Sequence, residues 1–167
     1  MGGTMGTENR DRPDMPGYGI STDNEGILDW SWLSEAMRSA RNYWIVTSRP
    51  DHHPHATPVW GAWVGEVFYF ACGKNSQKAR SIAANPNIVV HLESGDDVVI
   101  LEGTLEPVKD KVVIPKLSEE YLSKYDFDPF GENGVQPDDP IYSLRLKKAY
   151  AWREKDFPKT ATRWKFE

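Results

Sequence analysis

The chain has 167 residues and a formal charge of -5, which suits one domain and argues against a surface that tracks nucleic-acid phosphates. Its hydrophobic fraction of 39% is low for a compact domain, but seven Trp, seven Tyr and six Phe offset this, because each aromatic buries a large area. One cysteine, Cys72, excludes an intramolecular disulfide framework, and no apolar run approaches a membrane span or a signal-peptide core, so the chain reads as cytoplasmic and membrane-free.

Residues 1–26 are Gly, Pro and charge, with too little apolar surface to offset the entropy of ordering. They read as a flexible arm, with 1–16 expected to be disordered; an arm laid over a partner subunit is the other reading. The domain proper runs over 27–167. Asp29 stands as N-cap to a helix over 30–41, in which Trp30, Leu33, Met37 and Ala40 make one apolar stripe. Residues 43–48 read as a first strand, 50–54 as a turn and 55–63 as a second strand. His52, His53 and His55 crowd this turn. Neighbours in a turn seldom converge on an ion, and no cysteine or carboxylate pair accompanies them at ligand spacing, so no metal site is assigned.

A Val64-Gly65-Glu66 turn leads to a third strand over 67–72. Cys72 continues that apolar pattern and reads as a buried, inert thiol. A helix over 76–84 follows, stopped by Asn85-Pro86. It starts at Ser76 and carries Lys78 and Arg80 in its first turn. Cations are disfavoured there, by roughly 0.3–1 kcal/mol each. A bound anion reverses the sign, because free backbone N–H groups and cationic side chains then converge on it. Residues 76–80 read either as a phosphate site or as a capped helix start with solvated cations.

Residues 88–93 and 97–107 are a fourth and a fifth strand, with Gly103 at a bulge or a close backbone approach. A second long helix spans 109–124, its start delayed by Pro115. Residues 126–140 form a long loop, either a cover over a pocket mouth carrying Phe127 and Phe130 or a surface excursion. A sixth strand spans 141–152, and 153–156 is a turn. In the last strand, 160–166, Thr162, Trp164 and Phe166 alternate with Arg163 and Lys165. Short strands separated by Gly turns suggest a barrel. There is no dinucleotide or P-loop glycine run, and Ser76 and Ser81 have no His and carboxylate nearby in sequence, so no catalytic side chain is assigned.

The order Pro58-Val59-Trp60-Gly61-x-Trp63, strand, Ser76-x-Lys78-Ala79-Arg80, Ala84-Asn85-Pro86 resembles the pyridoxamine-5′-phosphate-oxidase-like flavoproteins. The similarity continues through 87–93 and 101–105, and resumes at Trp152 and at 161–166. The resemblance implies a mainly β fold, an antiparallel six- or seven-strand split barrel with flanking helices, that binds FMN or the deazaflavin coenzyme F420 between the subunits of a homodimer. Thr57, Pro58, Val59 and Trp60 fall on the strand beside the flavin ring and ribityl chain, largely through backbone groups. Phe70 and Ala71 match the next strand to touch the cofactor. Ser76, Gln77 and Lys78 match the phosphate-binding Ser-Arg-Lys of the oxidase branch. Trp152 and Arg163 match residues that reach the flavin across the subunit interface.

This chain departs from the oxidase branch at three cations. Thr57 and Gln77 stand where it has Arg, and Ala62 where it has Lys. Arg80 is the candidate to compensate. The substrate-reading Arg and His of the oxidase ending have no counterpart, which argues against pyridoxamine phosphate as substrate. Trp60, Trp63 and Trp164 read either as the lining of a pocket for a flat ring or as barrel core. The function implied is an FMN- or F420-dependent oxidoreductase acting on a small planar substrate, the bound ring carrying the hydride chemistry. The rival is a non-catalytic protein that stores, delivers or senses a flavin, F420 or haem; a dimerisation module without a ligand is the third reading.

Overall fold

The computed structural model describes residues 9–131, 134–136 and 138–167. Two long strands form its spine: β7 (Asp97–Pro107) pairs antiparallel with β8 (Ile141–Arg153) along its whole length. A β-bulge falls between Glu102 and Gly103. A Cβ at Gly103 would lie 2.2 Å from the Arg145 carbonyl oxygen, so the bulge closes only on a residue without a side chain.

From this spine the sheet extends as β6 (Asn87–His91), β2 (Tyr43–Ser48) and β3 (Pro54–Val59) on one side. The other edge of β8 is shared. Its first residues pair with β5 (Val67–Ala71), and its last with β9 (Thr162–Lys165). β5 in turn pairs with β4 (Ala62–Val64) around the Gly65 turn. The sheet therefore branches instead of closing, as a split barrel does. Every pairing is antiparallel.

The nine strands among the described residues exceed the six or seven expected for two reasons. The second strand breaks at Trp60–Gly61 into β3 and β4. The first arm residues add a short strand, β1 (Arg10–Asp11), to β9. The expectation of disorder fails for residues 9–16, because their charges find fixed backbone acceptors. The Arg12 guanidinium donates to the carbonyls of Asp23, Glu25, Lys159 and Ala161, and Arg10 donates to the Leu28 carbonyl and the Asp29 carboxylate. Composition counts apolar surface and misses such pairing. Residues 1–8 lie outside the described residues.

The first two helices follow the sequence reading closely, the third begins later than expected, and the fourth was not expected. α1 (Trp30–Ser39) buries Trp30, Leu33 and Met37; its N-cap residue Asp29 makes no capping bond, its carboxylate being held by Arg10. α2 (Gln77–Ala84) begins at Ser76, whose hydroxyl accepts from the Ala79 N–H. α3 (Ile114–Tyr125) carries Pro115 in its first turn and follows a 3-10 turn, and α4 (Phe157–Thr160) is a single turn before β9. His52 takes φ 66°, the left-handed conformation of a turn.

Each sheet face has its own composition. Ile45, Val90, Leu101, Ala149 and Trp164 form one continuous inner row in the core. On the outer face a second row runs from Pro58 through Trp44, His91, Ile100 and Tyr150 to Arg163. Five strand-to-strand steps at about 4.8 Å put its ends roughly 24 Å apart along the sheet. Trp44 and His91 stack within this row, 6.2 Å apart and nearly coplanar.

Candidate functional site

Gly61 is the origin of the site. A Cβ there would stand 2.4 Å from the Phe68 ring and 2.9 Å from the Tyr69 carbonyl oxygen, so only glycine lets the chain turn this tightly against β5. The bend interrupts backbone pairing and leaves polar groups that need partners. Two tyrosines of α3 supply them. Tyr121 donates to the Trp60 carbonyl at 3.1 Å. The Tyr125 hydroxyl accepts from the Gly61 N–H at 3.0 Å and shares its proton between the carbonyls of Gly61, at 2.9 Å, and Arg41, at 2.7 Å. Burial pushes the Tyr125 hydroxyl up to about 12, so it stays protonated and keeps donating. The Trp60 ring then stacks on Tyr125, 4.5 Å away and tilted by only 10°.

A cleft of about 340 Å³ opens beside this bend. Val59 and Trp60 form one wall, and Ala71 and Cys72 the next. Ser76 and Lys78 at the start of α2 also line it, as do Pro129 and Val135 of the long loop. The loop is anchored at both ends. Phe127 leans on Trp60 and Phe130 packs edge-on against Tyr121. Asp139 accepts from the backbone N–H groups of Lys74 and Gln136, which also lower its pKa. The described part of the loop thus borders a pocket mouth.

The cleft gathers Val59, Trp60, Ala71, Ser76 and Lys78 of the residues singled out in the sequence. Thr57 and Pro58 lie next to it on β3. Phe70 is fully buried, its ring between Phe68 and Tyr142, so only its backbone can face a ligand. The Gln77 amide donates to Ser81 and accepts from Arg80, and Arg80 also donates to the Asn75 carbonyl. Arg80 is thereby turned along its own helix start and does not enter the cleft. Lys78 has no carboxylate partner among the described residues. Trp63 and Trp164 are core residues, 4% and 0% exposed, whereas Trp60 is 42% exposed.

Trp152 and Arg163 stand elsewhere. Trp152 sits near the end of β8, packed edge-on against Phe157. Arg163 faces the N-terminal arm, where Nε and Nη2 both donate to the Asp11 carboxylate at 2.7 Å. The histidines of the turn diverge: His53 meets Asp51, His52 borders the outer sheet, and His55 buries Nδ1 without a hydrogen-bond partner among the described residues. Cys72 is half-buried at the cleft wall, and burial raises its pKa and keeps it a neutral thiol. Among the described residues no group of His, Cys, Asp and Glu is placed to hold a metal, and no helix is long and apolar enough to cross a membrane.

Four contributors escaped the sequence reading. Tyr121 passes there as part of the second long helix and Tyr125 falls just past its expected end at 124, although an i, i+4 pair of buried tyrosines signals two hydroxyls seeking acceptors. Arg41 passes as a helix end. Asp11 passes as part of a disordered arm.

A family model described as pyridoxamine 5′-phosphate oxidase matches residues 33–153. Among solved structures, the conserved hypothetical protein Rv2991 from Mycobacterium tuberculosis superposes with a TM-score of 0.64 at 18% identity, over 80% of this chain and 90% of that one. A structure described as an F420 reductase superposes with a TM-score of 0.51 at 25% identity, over 69% of this chain and 94% of that one. A heme binding protein from Mycobacterium smegmatis gives 0.58 at 15% identity over 72% of this chain, which spans about half of that larger protein (53%). No curated protein sequence matches at a significant level. With the family model covering most of the domain and the sheet branching as a split barrel, the chain belongs to the pyridoxamine 5′-phosphate oxidase family.

Proposed function

We propose that this protein is an FMN- or F420-dependent oxidoreductase acting on a small planar substrate, and that it works as a homodimer with each cofactor held between two copies. The observation that carries the reading is the cleft at the Trp60–Gly61 bend, because it brings a cationic helix start and a flat apolar wall into one space. Its volume falls in the range of small-molecule pockets, about 300–1,000 Å³. The residues present fit the group. The N–H groups of Gln77 and Lys78 lie in the first turn of α2 and have no intrachain acceptor among the described residues. With the Lys78 ammonium they supply donors for a phosphate. Val59 and Trp60 supply a surface for a flat ring, and Cys72, held neutral, adds no charge. When bound, the flavin or deazaflavin supplies the hydride chemistry. The chain supplies orientation, exclusion of water by the described part of the loop, and an anion site at the start of α2. The F420 reductase among the structural relatives keeps the deazaflavin open beside FMN.

The distribution of residues supports the dimer. Pro58, next to the cleft that Trp60 and Lys78 line, lies at one end of the outer row, and Arg163 at the other, roughly 24 Å away at about 4.8 Å per strand. One subunit cannot bring both to one small molecule. A two-fold axis crossing the row near its middle, between His91 and Ile100, sets the partner's Arg163 opposite Pro58. The half-buried Trp44, His91, Ile100 and Tyr150 would be covered in the process.

Titration of the ligand-stripped protein with FMN, F420 and haem, each read by Trp fluorescence, tests the cofactor. Saturable quenching by FMN or F420 is the expected outcome, since Trp60 lines the cleft. Selective haem binding would favour the storage or sensing reading, and failure to bind either flavin would sink the oxidoreductase. Sedimentation of a Trp44→Glu variant tests the interface: the wild type should sediment as a dimer and the variant as a monomer.

A further inference from the structure

Arg41 is an exposed cation without an acid. Its Nη1 donates to the Lys124 carbonyl at 3.1 Å, and among the described residues no carboxylate meets the guanidinium. The guanidinium instead stands 6.0 Å from the centroid of the Trp60 ring and 5.5 Å from that of Tyr125. Trp60 and Phe127, 42% and 41% exposed, form a pair of exposed aromatics in contact. Neither arrangement is loose. The Tyr125 hydroxyl binds the carbonyls of both Arg41 and Gly61, so one group fixes the backbone that carries the cation and the bend that carries Trp60. An exposed indole that lines the cleft and a guanidinium held in fixed relation to it are preorganised for a ligand that has a flat ring and an anionic edge.

We propose that Arg41 and Trp60 form a substrate subsite for a planar aromatic carboxylate, the ring lying on Trp60 and the carboxylate accepting from the free N–H groups of Arg41. As a substrate subsite this rests on the cofactor reading above, but as a binding site it can be measured without it. The chain's net charge of -5 would otherwise repel such an anion, so local cations are required. Lys78, which lines the cleft, is the competing cation, and the two are separable by mutation.

The test is calorimetric titration of the cofactor-free and the cofactor-loaded protein with 2-naphthoate and with its neutral isostere 2-naphthamide. The carboxylate should bind about fivefold more tightly than the amide, as an exposed charge-assisted pair allows. Arg41→Gln should erase that preference while leaving amide binding unchanged, and Arg41→Lys should keep part of it. Trp60→Leu should weaken both probes by roughly tenfold, as loss of ring stacking does. Arg41 is at the surface, so its variants test the idea even if Trp60→Leu folds poorly. Equal binding of the two probes by the wild type overturns the proposal, as does loss of the preference in Lys78→Gln instead of Arg41→Gln. If the cofactor-free protein shows the Arg41-dependent preference yet binds neither FMN nor F420, the subsite stands and the oxidoreductase reading falls. If a flavin binds and the preference is absent, the reverse holds.

Discussion

Lys78 and Arg163 are two cations that the family resemblance places at the same cofactor, and the structure treats them differently. Lys78 faces a cleft and has no acid among the described residues. Arg163 is held by both oxygens of Asp11, and Lys165 donates to the same carboxylate. Their supports differ in the same way. The Lys78 end is built around a bend that three hydrogen bonds between the hydroxyls of Tyr121 and Tyr125 and the backbone of Trp60 and Gly61 lock in place. The Arg163 end is covered by a two-residue strand from the chain's own N-terminal arm. A cation that lacks a partner on a rigid frame is available to a ligand at once. A cation already paired to an arm becomes available only if the arm lets go.

The sharpest way to break the rigid side is Gly61→Ala. The new methyl meets the buried Phe68 ring at 2.4 Å, and neither the ring nor the Tyr69 carbonyl can give way cheaply. Overpacking at such a site should cost about 3 kcal/mol, read as a lower midpoint in urea unfolding with an unchanged slope. A variant as stable as the wild type would mean that the bend is not fixed by this contact.

Lys78→Ala probes the open cation itself. If Lys78 holds the phosphate, affinity for FMN or F420 should fall by about 2 kcal/mol, close to thirtyfold, with the melting temperature unchanged. Arg80→Ala should change affinity far less, because Arg80 is spent on Asn75 and Gln77. Equal losses in the two variants would show that Arg80 turns inward on binding.

The same contrast explains what could be read from the sequence. Periodicity locates strands and helices whose side chains alternate between core and solvent, so β2, β7, α1 and α2 fall within a residue or two of where they are expected. Bulge chemistry locates Gly103, because only a missing Cβ fits there. The break at Trp60–Gly61 was invisible as a break. Its cause is a ring from β5 and two hydroxyls more than sixty residues downstream, which no local pattern encodes. The arm was invisible for a related reason. Arg12 and Arg163 satisfy it through partners over 140 residues away in sequence, and composition registers them only as charge. For the candidate site, the cleft residues from Val59 to Lys78 were legible because they share one stretch of chain. Arg41, Tyr125 and Asp11 were not, because each acts across the fold.

Asp11→Asn tests the closed cation, with the smallest expected effect. Asparagine keeps the size and loses the charge, so the arm should loosen by about 0.5–1 kcal/mol, discounted for exposure, and proteolysis at residues 9–16 should speed up without loss of the folded core. Acid should act in the same direction, and the sign follows from linkage. Hydrogen bonding from Arg163, its largest cause, lowers the Asp11 pKa below its ordinary 3.8. Docking of the arm therefore gains its full electrostatic contribution above the undocked value and loses it as pH falls through the lower, docked value. Arm protection should be flat from neutral pH to about 5 and should drop below about 4. Asp11→Asn should remove this drop. An acid transition that persists in Asp11→Asn would assign it to another carboxylate. If freeing Arg163 in this way also tightens cofactor binding by the dimer, the arm competes with the ligand for that guanidinium; if affinity is unchanged, Asp11 serves only to hold β1 against β9.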